Sequence, residues 1–342
     1  MKTLLRMTLS VAAGVTLLAL LMLWGGVSPT EIWHTLVNLP PWMFAACLAI
    51  HTCVYILRAL RLLSLVPKDQ RPSFPAMLSV VAAHNLASYV LPAKSGEATL
   101  VIYLKGLCRV SAATGLATLI VSRLYDFTVM CGMMALATAG LTLTSHWNAP
   151  RWLGFAGTAG FSCASALFLV LALRGEKLMG PLRLMLRGLR LDRTVLGQKL
   201  YGLTQRASDA LRVARGSASI FWLIATSALI WLGVFVFYAL LARGFGLPDR
   251  IGLPEATFGS GLAVMSNILP VNAFAGFGTQ ESGWVLGFGM LGIAREQAFA
   301  TGLSVHLVQL FNVCMMGLLG HIAMGVLPRR AAAPPSPPAD VR

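Results

Sequence analysis

Charge is scarce in this chain, and negative charge is scarcest. Only 11% of its 342 residues are Asp, Glu, Lys or Arg, with 12 acidic residues against 27 basic ones. A soluble domain carries about 25% charged residues, so this chain cannot cover a water-facing surface. Catalytic and metal-binding signatures are missing as well. The six cysteines (Cys47, Cys53, Cys108, Cys131, Cys163 and Cys314) form no CxxC pair, and most lie inside apolar runs. That excludes a disulfide framework or a zinc-ribbon spacing and leaves them as small packing residues. The six histidines show no HExxH spacing, no Walker A or GxSxG element is present, and the GxGxxG string from Gly287 to Gly292 lies within an apolar run and not after a strand, so it is no phosphate fingerprint. No soluble catalytic domain fits around the apolar runs. The expectation is a protein that is not an enzyme and carries no cofactor and no metal.

What remains is apolar. Hydrophobic residues make up 57% of the chain, and the mean hydropathy is +0.74. Runs of about 20 apolar residues match the hydrocarbon core of a bilayer, where helices satisfy their own backbone groups. The runs lack period-2 alternation, which argues against a membrane β-barrel. The formal net charge of +15 sits in the loops between runs. That placement points to the positive-inside rule and to anionic lipid as partner, not to nucleic acid.

The pattern predicts an all-α polytopic membrane protein with about six full spans and two interrupted helix pairs. A retained first span ends near Trp24. Further spans run from about Trp42 to Arg58, Ala112 to Leu143, Trp152 to Leu173, Ala218 to Leu241 and Ala298 to Leu327. Arg58, Arg61, Lys68 and Arg71 are read as a basic loop after the second span. With Arg329 and Arg330, they place both termini in the cytoplasm of an inner (plasma) membrane protein. Residues 174–216 read as a basic linker. Leu178, Leu182, Met185, Leu186 and Leu189 share one helical face, and Arg183, Arg187 and Arg190 share another, as in a helix lying on the bilayer surface. A second stripe runs from Leu196 to Leu211. The tail from Ala331, with four prolines, reads as disordered. The expected domain plan is one transmembrane unit over 1–327, its halves at about 42–173 and 218–327, and the tail at 328–342.

The two interrupted pairs resemble each other. Pro75 to Leu91 and Ala98 to Cys108 flank a Pro-Ala-Lys-Ser-Gly-Glu break. Glu255 to Leu269 and Glu281 to Ile293 flank a second Pro/Gly-rich break. Each pair precedes a long span with polar residues inside it, and the offset is about 180 residues. Three spans separate the pairs. Three is odd, so the second pair enters from the opposite face, which is the plan of an inverted-repeat transporter with a midplane site.

Nine residues are candidates for that site. Arg123 and Asp126 share a helix face in mid-membrane, where each charge costs roughly 2.5–3.5 kcal/mol on insertion scales. They form either an anion-gripping site or a structural ion pair. Glu97 and Glu281 follow the breaks and either couple transport to an ion or cap the helix that starts there. Lys94 is either a phosphate contact or a snorkelling surface cation. Asn85 and Asn267 either bond a neighbouring helix or line the cavity. Gln309 and Asn312 stand as the second half's version of the Arg123/Asp126 face. Gly276 and Gly278 permit a turn, and Gly283 and Gly287 form a GxxxG packing face.

Asn85 through Leu91-Pro92-Ala93-Lys94-Ser95-Gly96-Glu97, then Arg123-Leu124-Tyr125-Asp126, then Ala275-Gly276-Phe277-Gly278 with Glu281, resemble the transmembrane region of the lysylphosphatidylglycerol synthase family. The resemblance runs from about Leu5 to Leu327. Two positions depart from the family's pattern: Ser122 stands where an acidic residue is common, and Phe274-Ala275 where a proline often precedes the glycines. The resemblance implies a stand-alone flippase-like protein that moves an anionic phospholipid or a lipid-linked intermediate between leaflets, without synthase activity. Two alternatives stay open. One is a secondary transporter of a small polar solute, and the other a non-transporting partner of lipid- or glycan-modifying enzymes. Homo-oligomer formation stays open too.

Overall fold

The computed structural model describes residues 28–188, 219–266 and 274–327. The expected first span, Asn267 with the second break, the linker beyond Gly188 and the tail lie outside the described residues, as does the side chain of Lys94. Among the described residues the chain forms helices and turns and no strand.

A short helix α1 (Pro29–Val37) leads into α2 (Pro41–Leu65). Pro41 at the first helical position fits there because its missing N–H has no partner in a helix anyway. The first interrupted pair is α3 (Phe74–Val90), a 3-10 segment (Pro92–Ala98) and α4 (Thr99–Cys108). At 17 and 10 residues, these helices rise about 25 and 15 Å, short of a full crossing. Arg109 ends α4 in the left-handed conformation (φ 55°). The Ser111 hydroxyl, accepting from the Thr114 N–H at 3.1 Å, starts α5 (Ala112–Thr142). Helix α6 (Arg151–Gly188) closes the first half. The second half repeats the order: α7 (Ile220–Gly244), α8 (Leu253–Ser266), a 3-10 turn (Phe274–Gly276), α9 (Thr279–Met290) and α10 (Arg295–Val326). Starts at Pro41, Phe74, Thr99 and Ala112 thus recur at Ile220, Leu253, Thr279 and Arg295, about 180 residues on.

Among the described residues five helices are long and apolar enough to cross a bilayer: α2, α5, the 151–174 part of α6, α7 and α10. They are five of the six expected spans. Two boundaries differ from the sequence reading. Helix α2 continues seven residues past Arg58, to Leu65, so Arg58 and Arg61 belong to a span and not to a loop. Helix α6 runs unbroken from the span to Gly188, so the start of the basic linker continues a spanning helix instead of beginning a separate one.

The halves interlock. The short helix α3 packs along α10, α8 packs against α5, and α2 lies against α7. Glycines permit the closest approaches. A Cβ on Gly320 would stand 2.7 Å from the Ala82 Cβ on α3, and one on Gly287 would stand 2.5 Å from the Gly259 carbonyl oxygen on α8. The Gly283/Gly287 face therefore joins α9 to α8. Among the described residues two large apolar clusters result, beside a small one at Phe299 and Leu303. One, around Phe235, Trp284 and Phe288, belongs mainly to the second half; the other, around Tyr55, Val80 and Leu104, belongs to the first.

Candidate functional site

A cavity of about 590 Å³ opens between the halves, with walls from α2, α3, α5 and α6 on one side and α7, α8 and α10 on the other. That volume lies in the ordinary range for small-molecule sites. Its wall has two characters. Arg58, Asn85, Glu97, Arg123 and Asp126 gather in one region, while Leu119, Leu124, Phe127, Phe168 and Val234 supply apolar surface.

Arg123 sits 11 positions after the start of α5 and reaches Glu97 with a double contact. Its Nη2 donates to Oε1 at 2.7 Å and to Oε2 at 2.8 Å, and Nε donates to Oε2 at 3.1 Å. Both side chains keep about a third of their surface exposed, 35% and 30%. The 3-10 segment presents Glu97 because it lies tightly on α3: a Cβ on Gly96 would fall 2.2 Å from the Ala87 carbonyl oxygen. Thr99 braces the segment by donating its hydroxyl proton to the Gly96 carbonyl at 2.6 Å and accepting from His84 Nδ1 at 3.0 Å.

Asp126 has a different environment. Arg61 Nη1 and Nη2 donate to its two oxygens at 2.6 and 2.9 Å, and the pair is nearly sealed, at 3% and 4% exposure. Arg61 Nη1 also donates to Ser227 Oγ at 2.7 Å, and Trp231 Nε1 donates to Asp126 Oδ1 at 3.3 Å. The Arg61–Asp126 pair thus ties α2, α5 and α7 together. Arg123 is a more distant neighbour of Asp126, at 3.5 Å. Asn85 is held on both sides: Arg58 Nη1 donates to its Oδ1 at 3.0 Å, and its Nδ2 donates to the Tyr55 hydroxyl at 2.6 Å.

Glu281 lies off the cavity and is fully buried. Its Oε2 accepts from the Gly278 N–H at 2.6 Å, capping α9, and its Oε1 meets His306 Nδ1 at 2.5 Å. The other ring nitrogen, Nε2, donates to the Ala275 carbonyl at 3.1 Å, since a carbonyl can only accept. Ala275 is itself left-handed (φ 53°), and Gly276 and Gly278 have φ of 82° and 83°. Two glycines and one strained alanine thus make the turn that the sequence reading gave to the glycines alone.

His306 sits as far into α10 as Arg123 does into α5. Glu97–Arg123 and Glu281–His306 are therefore counterparts, separated in sequence by 26 and 25 residues. This shifts the expected correspondence by one helical step, so that His306 and Gln309 match Arg123 and Asp126. Gln309 lines the cavity and accepts from Tyr238 and from Gln280, both at 3.0 Å. Asn312 is fully buried, does not line the cavity, and has no hydrogen-bond partner for either amide atom among the described residues. Of the nine sequence candidates, the structure gathers Asn85, Glu97, Arg123, Asp126 and Gln309 around the cavity. The sequence reading missed Arg58, Arg61, Tyr55, Tyr238 and His306. The two arginines carried a visible signal: the apolar run resumes after each and stops only before Pro67.

Interrupted helix pairs, interlocked halves and a charged cavity among bilayer-length helices define a polytopic helical membrane protein. The chain belongs to the lysylphosphatidylglycerol synthase transmembrane-region family, whose model matches residues 9–317. No curated protein and no solved structure matches the chain.

Proposed function

We propose that the protein moves an anionic phospholipid or a lipid-linked intermediate between the leaflets of an inner (plasma) membrane, with the cavity as the path for the polar head group. The observation that carries this is the two-sided wall. A head group needs charge-matched donors, which Arg58 and Arg123 supply, with Asn85 holding Arg58 in place. Acyl chains need apolar surface, which Leu119, Leu124 and the Phe127–Phe168 contact, with ring centroids 5.0 Å apart, supply. A small polar solute would gain nothing from that second wall. Arg123, about a third exposed, is the accessible cation that a head group can reach. Its fork is held by Glu97 until a phosphate competes for it. Nothing in this reading requires a catalytic step. Basic Lys68, Arg71, Lys105 and Arg109, on either side of the first interrupted pair, support a cytoplasmic entry for that pair.

The test is reconstitution into liposomes containing labelled lipid. A hydrogen bond to a charged group is worth about 1.5–3 kcal/mol, so Arg123→Ala slows transbilayer movement about ten- to a hundredfold. Equal rates in both proteins would refute the role of Arg123. Such equality, together with loss of function on altering the basic linker, would favour a non-transporting enzyme partner instead.

A further inference from the structure

Two buried groups in the second half face each other across a gap that only a proton fills. Glu281 and His306 are both sealed from solvent, and Glu281 Oε1 lies 2.5 Å from His306 Nδ1. The other ring nitrogen carries its own hydrogen, because Nε2 donates to the Ala275 carbonyl at 3.1 Å. With that hydrogen alone on the imidazole and none on the carboxylate, two lone pairs would meet at 2.5 Å. One more proton therefore lies between Oε1 and Nδ1, whichever atom holds it. Neither residue makes another ion pair among the described residues. Tyr89 of α3 is the titratable side chain set against the imidazole, edge-on with ring centroids 5.8 Å apart, and the Phe277 ring lies 4.5 Å from it. Tyr238 of α7 reaches Gln280, the neighbour of Glu281, through Gln309. From α1 comes Leu36, packed with Phe299 and Leu303.

The pair also governs the second break. Glu281 Oε2 accepts from the Gly278 N–H at 2.6 Å while His306 holds the Ala275 carbonyl, so the pair grips both ends of the left-handed turn. Gln280 donates to Gln309 at 3.0 Å and accepts from Tyr89 at 3.3 Å, and both of those residues line the cavity. Loss of the shared proton sets lone pair against lone pair, pushes the start of α9 off α10 and moves the cavity wall through Gln280. The first-half counterpart, Glu97–Arg123, has no such option. A guanidinium keeps its proton, whereas an imidazole changes charge at ordinary pH.

We propose that the Glu281–His306 pair is a proton-binding site and that the protein carries a proton and a lipid across the membrane together. This rests on the lipid-translocation reading and adds a driving force to it. The state with an open cavity is the state whose geometry needs the proton, so lipid and proton are loaded at once. Because the pair is sealed in that state, the proton leaves only when the break opens. Its release is thereby tied to the movement that frees the lipid. The proton comes from water on one face and returns to water on the other, and no other bond to hydrogen or carbon changes.

The full chain is placed in liposomes with labelled phosphatidylglycerol, the membrane potential held at zero by potassium and valinomycin, and the lumen one pH unit more alkaline than the outside. One proton per lipid drives the label to an inner-to-outer ratio of about ten, which corresponds to about 1.4 kcal/mol, in either orientation of the protein. A protonophore returns the ratio to one. Glu281→Gln keeps every hydrogen bond, its amide oxygen accepting from Gly278 and its NH2 group donating to Nδ1, but it holds no exchangeable proton, and its ratio stays at one. His146→Gln alters the other carboxylate–imidazole pair among the described residues, where His146 is 39% exposed and meets Glu255 at 2.6 Å, and it leaves the tenfold ratio intact. An even distribution in the wild type while lipid crosses, accumulation on the acidic side, or accumulation that survives Glu281→Gln would overturn the proposal. If no lipid crosses with or without a gradient, the transport reading fails and the coupling with it. The proton site is then judged alone, by proton NMR of the full chain in micelles. A strongly deshielded resonance that Glu281→Gln removes upholds it, and its absence from the wild type overturns it.

Discussion

Changing Asp126 to Asn removes one charge and almost no volume, so its effect isolates electrostatics at the junction of α2, α5 and α7. In the wild type the carboxylate receives both terminal nitrogens of Arg61 at 2.6 and 2.9 Å and the Trp231 indole N–H at 3.3 Å. The asparagine would turn an amide NH2 group toward a guanidinium that is 3% exposed. Removing one member of a buried pair leaves the other charge uncompensated, at a cost of about 3–5 kcal/mol. Replacing both members, Arg61→Met with Asp126→Leu, removes that penalty and recovers most of the loss, because the desolvation cost of the pair disappears with it. Glu97→Gln is the comparator. Its pair with Arg123 is about one-third exposed on each side, and such partly solvated pairs contribute about 0.2–1 kcal/mol. Refolding titrations between mild detergent and sodium dodecyl sulfate measure all three. The reasoning is refuted if Asp126→Asn costs no more than Glu97→Gln, or if the double replacement is as damaging as the single one.

Two further outcomes follow from local geometry. Gly96→Ala places a methyl group 2.2 Å from the Ala87 carbonyl oxygen and 2.4 Å from the Ser88 Cα. Backbone cannot yield as a side-chain tip can, so the segment carrying Glu97 shifts; both stability in the same titration and lipid movement in liposomes fall, whereas unchanged values for both would contradict the close approach. Asn312→Leu removes two buried amide atoms without partners among the described residues and raises stability by about 1–3 kcal/mol, again read by titration. A loss of stability would show that the amide is paired.

The sequence carried the order of the helices because apolar runs, prolines and glycine-rich breaks each have one reading in a bilayer. Both interrupted pairs, the repeat spacing and the glycine-packed α8–α9 contact follow from those signals. The end of α2 did not. Arginines at a span end usually mark the interface, and a charge count alone assigns Arg58 and Arg61 to a loop. Only their three-dimensional partners, Asp126 on α5 and Asn85 on α3, show that the helix carries them inside. The role of Glu281 was open between cap and coupling site. The structure shows it capping α9, and what it adds is His306. The correspondence of His306 with Arg123 was hidden because the polar residues were matched to each other by type. Aligning helix starts instead matches a histidine to an arginine, two different groups at one position along their helices with one kind of partner.

The central claim is that lipid enters the cavity between the halves. A phospholipid with a diazirine near the middle of one acyl chain, photolysed on the full chain in liposomes, tests it directly. The account predicts cross-links on peptides containing Leu119, Leu124 and Phe127, reduced by excess unlabelled phosphatidylglycerol. Cross-links confined to outward-facing residues such as Leu136 and Phe221, which are 77% and 81% exposed, would contradict it.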